Sequence, residues 1–215
     1  MKNPHLYLIG LTGGIACGKS TVLKVLQAHG AGVLDADRVV HELQQPGMPV
    51  YAAIVAEFGT GILTAPDGPI DRPRLGSIVF SDPAALQRLE RIVHPAVRTS
   101  IRNWLAAVAA GSADQPGPRP VAVIDAIRLI EGGYTELCNS VWVVTCREDQ
   151  QIARLREHRG MSEEDALRRI AAQPPQASRM PHADVVIDNS GTLAETEAQV
   201  ARAWQQVAEQ RGTET

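Results

Sequence analysis

Charge of one sign, long apolar runs, cysteine and aromatic residues are all in short supply in this 215-residue chain. Lys and Arg number 21 against 24 Asp and Glu, so the surface lacks the positive excess that attracts nucleic acid or anionic lipid. No stretch nears the roughly 20 apolar residues that cross a bilayer. The apolar run from Leu6 to Leu11 is short, has a single flanking Lys2 and leads into glycines, so it reads as a first strand and not as a signal sequence. Cys17, Cys138 and Cys146 form no CxxC pair and leave one thiol unmatched, which excludes a disulfide framework and points to a reducing cytosol. Also missing is an Asn-Lys-x-Asp run that would read guanine. A chain of this length buries roughly 70% of its unfolded surface and needs no staple.

Strand and helix patterns alternate. Strands are expected over Leu6 to Thr12, Val33 to Leu34, Val121 to Ile124, Val141 to Thr145 and Val185 to Ile187. Helices are expected from Lys19 to the glycines at 30 and 32, from Glu148 to about His158, from a Ser162 cap to about Ala172, and from Leu193 to Glu209. Val39 to Ala109 carries helical periodicity broken by turns, as around Pro66, and Gly111 to Pro120 reads as a surface loop. The fold expected is α/β: a five-stranded parallel sheet flanked by helices, with a helical insertion and a small lid. The boundaries expected within this one domain are a core at 5–38, 120–146 and 183–210, an insertion at 39–110, and a lid at 147–182.

The run Gly13-Gly14-Ile15-Ala16-Cys17-Gly18-Lys19-Ser20 satisfies G-x-x-x-x-G-K-[ST] between a strand and a helix, followed by Thr21. Glycines let backbone N–H groups turn in around phosphates, and the helix N-terminus adds partial positive charge. Lys19 is expected on the β- and γ-phosphates and Ser20 on Mg²⁺, with ATP as the nucleotide. Cys17, near a helix N-terminus, has a setting that activates thiols. An alkylating reagent is expected to inactivate through it and MgATP to protect.

Asp125 closes its strand as a Walker-B carboxylate would, or as any solvated strand end would. Asp35 and Asp37 follow the second strand on the edge where open parallel sheets bind ligands. If that segment is extended, the two share a face, where a carboxylate can take the proton of an attacking hydroxyl; the alternative is a helix cap. Arg154, Arg156, Arg159, Arg168 and Arg169 lie in a stretch too polar for a core. They read either as a solvated face or as a lid whose guanidinium groups spread the charge of a phosphoryl group in transfer and exclude water.

The chain resembles the dephospho-coenzyme A kinases almost from end to end. The resemblance rests on Leu11 to Ile15, Asp35 to Asp37, Asp71, Arg72, Leu75, Val79, Phe80, Leu89, Glu90, His94, Pro95, Gln151, Arg154, Ala166, Arg169, Ile170, Gln173, Ala183, Asp184, Asn189 and Gly191. It implies transfer from ATP, with Mg²⁺, to the ribose 3′-hydroxyl of dephospho-coenzyme A. Asp37 would be the base, Lys19 would hold phosphates and Asn189 would lie near the adenine. The insertion would hold the acceptor through Arg72 and His94, with Asp35 and Phe80 among the matched positions. On its residues alone, His94 reads instead as a core histidine ahead of a helix-starting Pro95.

The sequence departs from the family twice. Arg128 stands where an apolar residue is usual, to contact the acceptor or pair with Glu131, and His158 takes the spacing of the second lid arginine, leaving Arg159 one residue late. Two other functions are open to a phosphate loop of this kind: a nucleoside or nucleotide kinase, and an ATP-binding regulator without catalysis. No nucleic-acid or membrane partner is expected, and the sequence does not give the oligomeric state.

Overall fold

Runs of Val, Ile and Leu form the strands of the computed structural model, which describes residues 3–111 and 117–213. The loop expected over 111–120 therefore lies partly outside the described residues. The strands are β1 (Tyr7–Gly13), β2 (Gly32–Asp35), β3 (Val121–Asp125), β4 (Ser140–Thr145) and β5 (Val185–Asp188), in the sheet order β2-β3-β1-β4-β5. Central β1 runs parallel to β3 and β4, and β4 parallel to β5. Every residue of β1 is buried, as a strand covered on both faces requires.

The chain divides into two compact units, 1–34 with 105–215, and 35–104. In the first, the sheet packs with α1 (Lys19–Ala28) and α9 (Leu193–Thr213) around Ile9, Leu11, Val22, Leu26, Trp142, Val144 and Val200. Each such side chain contributes about 1.5–3 kcal/mol by leaving water. Ser162 caps α7 (Glu163–Ala171) by accepting from the Asp165 N–H at 3.1 Å, as its spacing predicts. Gly160, at φ 62°, ends the preceding α6 (Glu148–Arg159) in the left-handed conformation. Gln176–Arg179 forms the one-turn α8.

The second unit is helical: α2 (Ala36–Leu43), α3 (Pro49–Phe58), α4 (Arg72–Ser81) and α5 (Pro83–Ala110), whose last residues belong to the first unit. Asp71 caps α4 by accepting from the Arg74 N–H at 3.1 Å. Pro95 does not start a helix; it lies inside α5, where it removes one N–H from the ladder.

Candidate active site

The phosphate loop begins at the end of β1. The Cys17 N–H donates to the Gly14 carbonyl at 3.2 Å, and Ala16 and Gly18 take φ of 57° and 92°. A Cβ on Gly18 would overlap the Asn189 amide, so the backbone angle and the close approach both demand glycine. As α1 starts, the N–H groups of Gly18, Lys19 and Ser20 donate to no acceptor among the described residues. Such open donors carry the positive end of the helix dipole and suit phosphate.

A cleft of about 530 Å³ surrounds this helix end, lined among others by Lys19, Ser20, Thr21, Asp125, Arg154, His158, Arg159, Gly191 and Leu193. Lys19 Nζ lies 3.8 Å from Asp125 Oδ1, an ion pair longer than a hydrogen bond, with the two side chains 14% and 16% exposed. Pairing of Leu11 with Asp125 across β1 and β3 delivers that carboxylate beside the loop. Of the two readings of Asp125, the geometry favours the Walker-B one. Among the described residues no three His, Cys, Asp or Glu gather as a metal cage. One carboxylate and one hydroxyl instead fit Mg²⁺, which keeps waters and phosphate oxygens in its shell.

The loop backbone is gripped by three side chains for which the sequence suggested no contact with the loop. The Ile15 N–H donates to Gln173 Oε1 at 2.8 Å, and Gln151 Nε2 donates to the Ile15 carbonyl at 2.7 Å. Asn189 Nδ2 donates to the Cys17 carbonyl at 2.8 Å, while its Oδ1 accepts from Thr196 Oγ1 at 2.8 Å. The Asn189 amide, expected near an adenine, is thus committed at both ends to the loop and to α9. Asn189→Ala is expected to destabilise the protein by about 1–3 kcal/mol, because it strands the buried Cys17 carbonyl, whereas the Thr196 hydroxyl can still donate to the Thr192 carbonyl. Thermal unfolding followed by circular dichroism should show Tm falling by several degrees, about 2–4 °C per kcal/mol at this chain length.

The arginine-rich stretch divides into two kinds. Arg156 pairs with Glu163 at 3.4 Å and Arg168 with Asp165 at 2.5 Å, both in solvent. Arg154 turns inward, donating to the Ala16 carbonyl at 3.1 Å and the Asn189 carbonyl at 2.9 Å. His158 and Arg159 both line the cleft with it. Ile15 of the loop packs with Leu155 of α6 and Ala166 of α7 in a small separate core. Arg179 is a further basic group that the sequence reading passed over. It is 2% exposed, its Nε and Nη2 find no acceptor among the described residues, and burial lowers its pKa against the opposing influence of Glu131 and Cys17. Burial of a charge is visible only in three dimensions, so no sequence signal marks it.

At the other expected residues the structure decides between alternatives that the sequence left open. Asp35 is the N-cap of α2, accepting from the Arg38 N–H at 3.0 Å, and the helix begins at Ala36. The two aspartates therefore do not share an extended segment: Asp35 caps, and Asp37 stands exposed in the first turn. Arg128 is exposed, and no ion pair joins it to Glu131. Cys17 is 1% exposed, buried beneath the loop, so direct shielding of its sulfur by nucleotide is not the arrangement found. Its pKa is lowered to about 7 by the hydrogen bond from the Cys146 thiol and by Lys19, and that of Cys146 is raised by the same contact and by burial.

In the second unit, Arg72 hydrogen bonds with His41 Nδ1 and donates to Gln44 Oε1 at 3.4 Å. Phe80 is 78% exposed. His94 is half-buried on α5, lining an open groove of about 810 Å³ with Glu90, Arg91, Arg98 and Arg102. It is not a core histidine.

Known proteins resemble this chain over most of its length. The sequence model of the dephospho-CoA kinase family matches residues 7–195. A dephospho-CoA kinase of Symbiobacterium thermophilum is 47% identical over 197 residues, 92% of this chain and 80% of that protein. One from Geobacter sulfurreducens is 45% identical, covering 92% of this chain and 96% of its own. Among solved structures, a Thermus thermophilus protein superposes with a TM-score of 0.77 at 28% identity, covering 94% of this chain and 98% of the other. The dephospho-CoA kinase of Campylobacter jejuni shares the fold, with a TM-score of 0.65 at 24% identity, over 94% of this chain and 97% of its own.

Proposed function

Because the chain belongs to the dephospho-CoA kinase family, we propose that it transfers the γ-phosphoryl group of ATP to the ribose 3′-hydroxyl of dephospho-coenzyme A, the last step of coenzyme A synthesis. The observation that carries this reading is the convergence of Lys19, Ser20, Asp125, Arg154 and Arg159 on one cleft at the N-terminus of α1. The open N–H groups of the loop bind the β-phosphate, and Lys19 balances charge on the β- and γ-oxygens. Mg²⁺, when bound, neutralises phosphate charge; Ser20 Oγ and Asp125 would hold it, directly or through water. Gly191 and Leu193 offer the adenine an uncharged surface.

Asp37 takes the proton of the acceptor hydroxyl as its oxygen forms the new bond to phosphorus and ADP departs. The second unit receives the acceptor. Arg72, oriented by His41 and Gln44, and His94 with its arginine neighbours meet its charged portions, while exposed Phe80 meets an apolar part. Among the described residues no helix is long and apolar enough to cross a membrane. The three free thiols support a place in the reducing cytoplasm.

The test is ADP release measured with dephospho-coenzyme A, AMP, nucleosides and pantothenate as acceptors, and with no acceptor. Turnover confined to dephospho-coenzyme A is expected. Turnover only on a nucleoside or AMP would replace the reading with a nucleotide kinase, and binding of ATP without transfer would replace it with a regulator.

The lid gives a separate prediction. Arg159→Ala is expected to lower kcat more than it raises KM for ATP, as for a contact made mainly in the transition state. His158→Ala should lower kcat less than Arg159→Ala does, because imidazole lacks the planar fork of donors that a guanidinium offers to phosphate oxygens. Steady-state kinetics of both variants check it: impairment of the histidine variant alone would reverse the assignment.

A further inference from the structure

A phosphate loop works through backbone N–H groups, a lysine and a hydroxyl, and nothing in that chemistry calls for sulfur. Yet Cys17 Sγ accepts from Gln151 Nε2 at 3.2 Å beneath the loop. Cys146, directly after β4, packs against the core cluster that contains Cys17, and its Sγ lies 4.0 Å from the Ala16 carbonyl. The Cys146 sulfur thus lies against the carbonyl of the loop residue that directly precedes Cys17. Pairing of Gly13 with Val144 across β1 and β4 accounts for the meeting, since each cysteine follows soon after its strand's contribution to that pair. Cys138 lies apart, before β4, donating to the Tyr134 carbonyl at 3.2 Å.

We propose that Cys17 and Cys146 form a reversible disulfide when the protein meets a peroxide, and that this bond closes the phosphate loop to nucleotide. Half-buried Cys146 gives the oxidant its approach. The Cys146 sulfur attacks a peroxide oxygen; the O–O bond breaks, hydroxide leaves with the thiol proton as water, and a sulfenic acid remains on Cys146. The second sulfur attacks that sulfenic sulfur, its own proton leaving with the displaced hydroxide as water. Two thiols and one hydrogen peroxide thus give one disulfide and two waters. The field of Lys19 favours the thiolate form of Cys17, the buried sulfur that completes the sequence. Closing the sulfurs to about 2.05 Å draws Cys17 toward the end of β4. The turn between Ala16 and Gly18 moves with it, although Asn189 holds the Cys17 carbonyl in place for phosphate.

The purified full chain is treated with hydrogen peroxide at neutral pH and followed by intact mass, non-reducing peptide mapping and titration with a fluorescent ATP analogue. Expected are the loss of two hydrogens, a peptide linking Cys17 to Cys146, nucleotide binding weakened by about tenfold or more, and recovery with dithiothreitol. Cys146→Ser should keep its basal activity and retain nucleotide binding after the same treatment. A link to Cys138, inactivation without a link, inactivation of Cys146→Ser to the wild-type extent, or a linked protein that binds nucleotide like the reduced one would each overturn the proposal. Neither mass nor nucleotide titration depends on which acceptor is phosphorylated, so this result stands apart from the assignment of the substrate.

Discussion

Lys19→Ala is expected to turn over at least about 10³-fold more slowly than the wild type, at the upper end of what one preorganised charged donor supplies to a phosphoryl transfer. The reason is local. Lys19 stands at the positive end of α1, 3.8 Å from Asp125 Oδ1, with 14% of its side chain exposed. In so sheltered a place its charge is only weakly screened by water, and its removal takes away a positive charge close to both Asp125 and the loop. The loop itself is held by Gln151, Gln173 and Asn189, so the variant should keep its fold. Steady-state ADP release, with circular dichroism as the check on folding, measures the effect. Near-normal kcat in a folded protein would remove the loop from the mechanism.

Asp37→Asn is expected to lower kcat by about 10²- to 10⁴-fold with little change in KM, the range for loss of a positioned general base. Asp35 supplies the control, because it is the N-cap of α2. Asp35→Ala should cost about 1 kcal/mol of stability through the lost cap and should not approach the catalytic loss at position 37. Kinetics and urea denaturation of both variants separate the roles. An unchanged kcat in Asp37→Asn would leave Asp37 a structural residue of the first helical turn.

What the sequence made legible was what short-range physics controls. β-Branched runs placed each strand within a residue or so of its observed bounds, and the phosphate loop could be read because its glycines and lysine lie within eight consecutive positions. The Ser162 cap and the end of α6 at Gly160 followed from local chemistry in the same way. The misreadings came where a local signal had two solutions. Asp35 and Asp37 suit an extended pair or a capped first turn equally well, and an aspartate oxygen on the Arg38 N–H decided it. Pro95 suggested a helix start, yet a long helix can lose one hydrogen bond and continue through it. Least legible were contacts between distant positions, such as Cys17 with Cys146 and Asn189 with Cys17, which depend on strand order in the sheet.

Gln151 lies on α6 and Gln173 just beyond α7, and from these two sides they hold the N–H and the carbonyl of a single loop residue, Ile15. The loop and the helix pair α6 and α7 are therefore built as one unit. A chimaera given the lid of another kinase would have to import both amides and the apolar seat of Ile15 with it, or the loop would lose its shape before any nucleotide arrived. Transplanted arginines alone, however well spaced, would be set over a loop that nothing holds in place.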